Sequence, residues 1–386
     1  MGNEKKEINP MKILITGGAG FIGSNLALSL SAKGHTVIVF DNLSPQIHGK
    51  DPEQSPLYLS VKNEVNFVRG DVTRREDLLN VLPDVDTVVH LAAETGTGQS
   101  MYEIQRYAEV NVGGTALLLD LIANYRFPIS RIAVASSRAI YGEGKYHCAS
   151  HGLKYPGARS NLEMDRQQFE HSCPICQQFL QALPTDELSP LNPTSVYGVT
   201  KLTQEQMVLT VGKALGISAL AFRYQNVYGP GQSLANPYTG ILSIFSNQIR
   251  QGNIVNVFED GRESRDFVFI DDAVDATIRG LEHKYPLVEA FNVGSGIPID
   301  VSTVATTLLE YLGGNSDIVV SGQYRVGDIR HNVADLKKVS KFLGFKAKVS
   351  FSDGLYRFVD WVQSEQLPDD FYEKSIEELR VKGLFR

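Results

Sequence analysis

Residues 12–42 read KILITGGAGFIGSNLALSLSAKGHTVIVFDN, and they decide the fold. KILIT is a short apolar run of strand type. Gly17, Gly20 and Gly23 follow at three-residue intervals, and Leu26, Leu28 and Leu30 then mark a helix ending near Gly34. VIVF is a second apolar run and closes on Asp41. Strand, glycine turn, helix and strand make a βαβ unit. The glycines let the backbone turn sharply and approach a pyrophosphate, which sits on the helix N-terminus where free N–H groups and the dipole favour negative charge. Asp41 lies at the end of the second strand, placed to accept hydrogen bonds from both hydroxyls of an adenosine ribose. The same carboxylate repels a 2′-phosphate, so the pattern predicts NAD rather than NADP.

The alternation continues outward. VNFVRGD (65–71), TVVHLAA (87–93) and RIAVASS (131–137) read as further apolar strands, with a helix from about Asn111 to Asn124 between the last two. Strands that are apolar throughout and alternate with helices predict an α/β, Rossmann-like doubly wound parallel sheet covered on both faces. A polar stretch at about 142–192 breaks the rhythm, reads as an insertion, and holds all three cysteines. The pattern resumes with a long helix from about Pro193 to Leu215 and the strand ALAFRY (219–224). We therefore expect a dinucleotide-binding domain over 11–227 and a smaller substrate-binding lobe over 228–386, with the chain able to cross between them and a last helix after Pro368.

Composition limits the function. The 386 residues are 42% hydrophobic and 21% charged, an ordinary globular mixture. With 37 Lys and Arg against 44 Asp and Glu, the net charge of −7 lacks the basic surplus that nucleic-acid binding needs. No apolar run approaches the ~18 to 20 residues that span a bilayer. The opening MGNEKKEINP has no apolar core for a signal peptide, and Lys6 stands where a myristoylation motif wants Ser or Thr, so a cytoplasmic protein is expected.

Tyr197 and Lys201 are four residues apart at the start of the long helix and so share a face. An ammonium there can lower the phenol pKa, letting a tyrosinate take a hydroxyl proton while a hydride leaves the same carbon. By itself such a pair is more often a solvated helix face. Ser137 gives it weight, because it ends the strand RIAVASS at the carboxyl edge of the sheet, where open α/β folds place ligands.

TGGAGFIG, Asp71 after a strand, HLAAE, SSRAIYG, YGVTK, RYQNVYGP and RDFVFIDD, in this order, resemble the extended short-chain dehydrogenase/reductase family, specifically its NAD-dependent nucleotide-sugar epimerases and dehydratases. The resemblance runs from about 12 to 365 and leaves out only the 142–192 insertion. It implies Ser137, Tyr197 and Lys201 as a catalytic triad. Gly17, Gly20, Phe21, Ile22, Gly23, Asp41, Asn42, Asp71, Val72, Leu91, Ala92, Ala93 and Tyr224 would line the NAD site with Tyr197 and Lys201. It further implies nucleotide-sugar contacts at Asn226, Phe258, Arg265, Arg325 and Asp328, with the sugar near Glu94, Thr95, Gln99, Ser100, Tyr238 and Thr239. Two guanidinium forks at 265 and 325 suit a diphosphate. The helix carrying Tyr197 and the one near Asn111 resemble those that pair in the family's homodimers.

A dehydratase of this family carries Asp-Glu directly after the Ser/Thr, and here Arg138-Ala139 stands there instead. NAD specificity disfavours a net reductase. Epimerisation at C4 through a transient 4-keto sugar remains, with NAD regenerated each turnover. An epimerase acting on another carbon or on a UDP- or CDP-sugar, an NAD-dependent nucleotide-sugar dehydrogenase or reductase, and a non-catalytic NAD-sensing protein stay open as alternatives. In the insertion, Cys148-x2-His151 and Cys173-x2-Cys176 give four ligands at paired spacings that suit a structural tetrahedral zinc, although three reduced cysteines beside an unrelated histidine fit the same letters.

Overall fold

The computed structural model describes residues 10–386 apart from 235, 237, 239 and 368–371. Its centre is a seven-stranded parallel sheet of β1 (Lys12–Thr16), β2 (Thr36–Asp41), β3 (Asn66–Arg69), β4 (Thr87–His90), β5 (Arg131–Ser137), β6 (Ser218–Tyr224) and β7 (Val288–Val293), in the order β3-β2-β1-β4-β5-β6-β7. Alternate residues of each strand face opposite sides. Ile13, Ile15, Val39, Leu220 and Phe222 therefore enter one core, while Leu14, Ile38, Val88, Ile132 and Val134 enter the other. Helix α1 (Phe21–Ala32) covers the first face through Leu26, Ala27 and Leu30. Helices α2 (Gly114–Asn124) and α3 (Val196–Leu215) cover the second through residues such as Leu118, Ile122 and Val208. Each Leu, Ile or Phe so buried contributes about 1.5–3 kcal/mol against exposure.

The order reverses between β1 and β4, so the carboxyl ends of β1, β4, β5 and β6 open onto one crevice. Around it lies the second lobe. The strand Asn226–Tyr228 pairs parallel with Ser264–Phe269, which is flanked by Pro298–Asp300 and His331–Asn332, and the helices Ile241–Gln251, Val301–Leu312 and Phe351–Ser364 pack behind. The division expected at 227/228 is not a single cut: helix Ile270–Leu281 packs on α1, and β7 returns to the central sheet beside β6.

Three local details depart from the sequence expectation. The helix near Asn111 begins earlier than expected, as an α-helical turn over Ile104–Tyr107, and passes through a π-helical turn over Ala108–Gly113 before resuming as α-helix at Gly114. The long helix starts at Val196 rather than Pro193, because Ser195 is extended and its hydroxyl caps Gly198 N–H at 3.1 Å. The insertion is a three-stranded antiparallel sheet of Gly152–Lys154, Tyr146–Cys148 and Gln181–Ala182, with the short helix Asn161–Asp165 between strands. The last helix runs over Tyr372–Val381. No helix among the described residues is long and apolar enough to cross a membrane.

Candidate active site

The crevice is a cavity of about 550 Å³. At its floor, Gly17 has φ +66°, and a Cβ there would lie 2.7 Å from Ala92 N. A Cβ on Gly23 would lie 2.4 Å from Gly17 O, so both positions require glycine for the loop to close against β4 and open α1. Asp41 ties this loop down. Its Oδ2 accepts from Ala19 N–H at 3.0 Å and its Oδ1 from Leu43 N–H at 2.8 Å. Burial pushes its pKa up, against those two bonds and the nearby His48 that pull it down. The carboxylate is thus fixed at the end of β2 with acceptor capacity left for a ribose diol.

Gly17, Gly20, Phe21, Ile22, Gly23, Asp41 and Asn42 line the cavity, as do Val72, Leu91, Ala92, Ala93 and Tyr224. Asp71 does not; it stands at the rim, accepting from Asn42 Nδ2 at 3.1 Å and from Thr73. A shaped glycine cradle beside a fixed carboxylate fits a dinucleotide pyrophosphate and ribose.

Ser137, Tyr197 and Lys201 all line this cavity. Gly198 allows this, since a Cβ on it would lie 2.8 Å from Ala139 O; its absence seats the first turn of α3 on the turn that follows Ser137. Burial raises the Tyr197 pKa, while a hydrogen bond with Ser137 and the positive Arg138 lower it. Lys201 lines the same cavity, one turn further along α3. Its Nζ donates to Gln204 Oε1 at 2.8 Å, and burial brings its pKa down to about 7, against Glu205. Arg138 is thus a second positive group beside Tyr197, in addition to the expected Lys201. Behind it, Gln204 also bonds Thr115, and His90 bridges Thr115 and Thr16, a closed polar network under the catalytic face.

Asn226, Phe258, Arg265, Arg325 and Asp328 line the same cavity. Arg325 Nε bonds Asp328 at 3.0 Å, and its guanidinium sits 5.5 Å from the Phe258 ring centroid. Arg265 is held by the carbonyls of Ser264 and Arg330. Asn226 Oδ1, Gln225 Oε1 and Arg138 Nη1 are buried there without a hydrogen-bond partner in the protein. Burial and the neighbouring Arg265 push the Arg138 pKa down to about 9. Crowded cations and unpaired polar atoms in one wall suit an anionic, hydroxyl-rich ligand.

Of the sugar-side residues, Gln99 and Ser100 do not line the cavity. Glu94 and Thr95 line the cavity, but Glu94 is paired with Arg106 at 2.9 Å. Gln99 points away, bonded to Gln46 and Tyr107. Ser100 accepts from Tyr197 N–H at 3.0 Å, so it positions the start of α3 instead of touching sugar. Tyr238 lines the cavity and bonds Tyr102 and Glu378, and Thr239 lies outside the described residues. Short polar loops read alike in sequence whether they face ligand or backbone.

Sequence reasoning missed three contributors. Arg138 entered it only as a missing acid pair. Asn111 clamps the backbone of Glu94 at both N–H (2.7 Å) and C=O (3.1 Å), from a π turn of the sort that gathers at functional sites. The last helix returns Ile376 and Leu379 to the cavity wall, a long-range contact that no local pattern announces.

Residues 13–294 match the NAD dependent epimerase/dehydratase family. The chain belongs to that family. It is 38% identical over 362 residues to the dTDP-L-rhamnose 4-epimerase of Burkholderia thailandensis, covering 93% of this chain and 96% of that protein. Among solved structures, the UDP-glucose 4-epimerase of Thermotoga maritima with UDP-glucose has a TM-score of 0.74 at 28% identity, and the UDP-glucuronic acid 4-epimerase of Bacillus cereus with UDP-glucuronic acid and NAD has 0.73 at 27%. Each match covers 92% of this chain and 99% of the other. NAD is the cofactor of this epimerase/dehydratase fold, in agreement with the cradle and Asp41.

In the insertion, Cys148, His151, Cys173 and Cys176 present their ligand atoms within 4.8 Å of one another. The Sγ atoms of Cys148 and Cys173 each lie 3.6 Å from His151 Nδ1, and Cys148 and Cys176 are 3.6 Å apart at sulfur. Tetrahedral zinc with thiolate and imidazole ligands spaces them at roughly 3.5–3.8 Å. The two pairs, far apart in sequence, converge on one point.

Proposed function

We propose that the chain is an NAD-dependent nucleotide-sugar 4-epimerase that interconverts dTDP-L-rhamnose and dTDP-6-deoxy-L-talose. The carrying observation is that one cavity is lined at once by the glycine cradle, by Ser137, Tyr197 and Lys201, and by Arg265 and Arg325. The choice of sugar rests on the 38% relative, whose match runs nearly end to end.

When bound, NAD would supply a reversible hydride acceptor, held by the glycine cradle and Asp41. Tyr197 holds the proton of the C4 hydroxyl at its phenol oxygen, taking it as the hydroxyl becomes a ketone and returning it afterwards. Ser137 donates to the same sugar oxygen and orients it. Lys201, buried and with a pKa near neutrality, reaches the ribose side. Arg265 and Arg325 hold the diphosphate while the keto sugar turns about its linkage and presents its opposite face. Arg138 in place of an acid pair leaves no group to eliminate water, so the sugar keeps its substituents. The UDP-sugar complexes of the structural relatives favour, as a second reading, the same chemistry on a UDP-sugar.

Proton NMR of the purified enzyme with dTDP-L-rhamnose, beside UDP-glucose and UDP-glucuronic acid, tests the choice. New C4 signals of the 6-deoxy-talose without release of NADH are expected. Turnover of a UDP-sugar alone would select the second reading, and stoichiometric NADH release would make the enzyme a dehydrogenase.

The chain also forms a homodimer through α3 and the helices beside Asn111, where Val199 and Ile104 are 50% and 54% exposed. Light scattering should give twice the chain mass, and a monomer would refute this. Finally, the Cys148, His151, Cys173 and Cys176 set holds one structural Zn²⁺, supported by its convergent geometry.

A further inference from the structure

The insertion buries little on its own account. Its apolar cluster is Tyr146, Cys148, Cys173 and Leu180, with Cys176 against it, whereas Leu153, Leu162, Ile175, Phe179 and Leu188 are exposed. A unit so small needs a staple to hold one conformation. The four ligands provide one, joining the turn after Tyr146–Cys148 to the hairpin closed by Leu180 N–H on His171 O and Cys173 N–H on Gln178 O.

What this hairpin carries bears on the active site. Glu170 and His171 directly precede its cysteines. Glu170 accepts from Arg330 Nη2 at 2.5 Å and lies 3.2 Å from His331 Nε2, and His171 Nε2 lies 3.2 Å from Glu143 Oε2. Glu143 in turn accepts from Arg330 N–H at 2.8 Å. Arg159 spans Glu259 with two bonds of 2.7 and 2.8 Å and donates to Asp328 O at 2.9 Å. The ring of Tyr324 packs on Met164 and Phe169, and its hydroxyl bonds Asp165. The segment 324–331 is thus fastened to the insertion at its start, middle and end. Arg325 and Asp328, which face the cavity, lie on that segment. The fastening ion pairs are buried, with Arg159 and Arg330 side chains 4% and 0% exposed, so a displaced partner leaves an uncompensated charge.

We infer that the metal-stapled insertion is the scaffold of the diphosphate clamp: Zn²⁺ at the Cys3His site fixes Glu170, His171 and Glu143, and these fix the Arg325–Asp328 segment for substrate. The inference rests on the reading of that cluster as a zinc site. The NAD half of the cavity, built on β1, β2 and β4, has no part in this chain of contacts. Metal loss therefore weakens nucleoside diphosphate binding and leaves NAD in place.

The test uses full-length holoenzyme purified under reducing conditions, with dTDP as the probe. Elemental analysis should give one zinc per chain. After stripping by chelator, calorimetric Kd for dTDP should rise about tenfold or more, the scale of losing a charge-assisted contact. NAD content should not change, and added Zn²⁺ should restore dTDP binding. Arg159→Lys, which cannot span Glu259 and Asp328 together, should keep zinc and NAD and show the same weakened binding. Absence of bound zinc, even when it is supplied, would overturn both the metal reading and the inference. Zinc with an unchanged Kd after stripping, an unchanged Kd in Arg159→Lys, or parallel loss of NAD and dTDP would overturn the inference and leave the metal reading standing.

Discussion

Arg138 changes the account of how Tyr197 becomes a base. The phenol is buried, which favours its protonated form, and only Ser137 and Arg138 oppose that. Tyr197 must be a phenolate to take a proton, so the rate rises with pH through its pKa. A positive neighbour lowers that pKa. Arg138→Met removes the charge at similar length, and the ascending limb of kcat/KM against pH should move to higher pH, with the loss largest on the acid side. An unmoved limb would show that Arg138 only binds substrate. Lys201, with its pKa near 7, titrates close to the working range; its cationic form is lost as pH rises through that value. A descending limb near neutrality is therefore consistent with a cationic role at the ribose.

The glycine loop shows what an element-scale pattern can and cannot convey. Gly17 is required twice over, by its φ of +66° and by the approach of Ala92 to 2.7 Å. Gly17→Ala should cost about 2–4 kcal/mol, combining a strained backbone with an overpacked contact. Chemical denaturation should show that loss, and the variant should retain less NAD through purification; unchanged stability and NAD content would contradict the assigned cradle. The pattern around Gly17, Gly20, Gly23 and Asp41 was legible because it is local: one strand, one turn and one helix define it. RIAVASS and the Tyr197 helix were legible for the same reason. The orientation of Gln99 and Ser100 was not, since both face partners fixed by the tertiary fold, Gln46 in one case and the Tyr197 backbone in the other. Nor was the bond from Lys201 to Gln204, because it forms only where the fold buries both side chains.

At the scale of the whole molecule, the cavity is assembled from parts distant in the chain. The glycine loop and Ser137 come from the sheet, Arg265 and Arg325 from the second lobe, and Leu379 from the last helix. A lobe boundary at 227 could be read only roughly, because β7 and the helix before it return to the sheet after the lobe has begun. In the proposed reaction one carbon loses and regains its hydride within this cavity, with Tyr197 moving the proton. The most direct test is dTDP-L-rhamnose carrying deuterium at C4, followed by NMR and mass spectrometry in ordinary water without added NADH, beside Tyr197→Phe. The account predicts a 6-deoxy-talose product that keeps its deuterium at C4, and a fall in rate of about 10²- to 10⁴-fold in the variant with NAD still bound. Replacement of that deuterium by solvent hydrogen, or undiminished turnover in Tyr197→Phe, would contradict it.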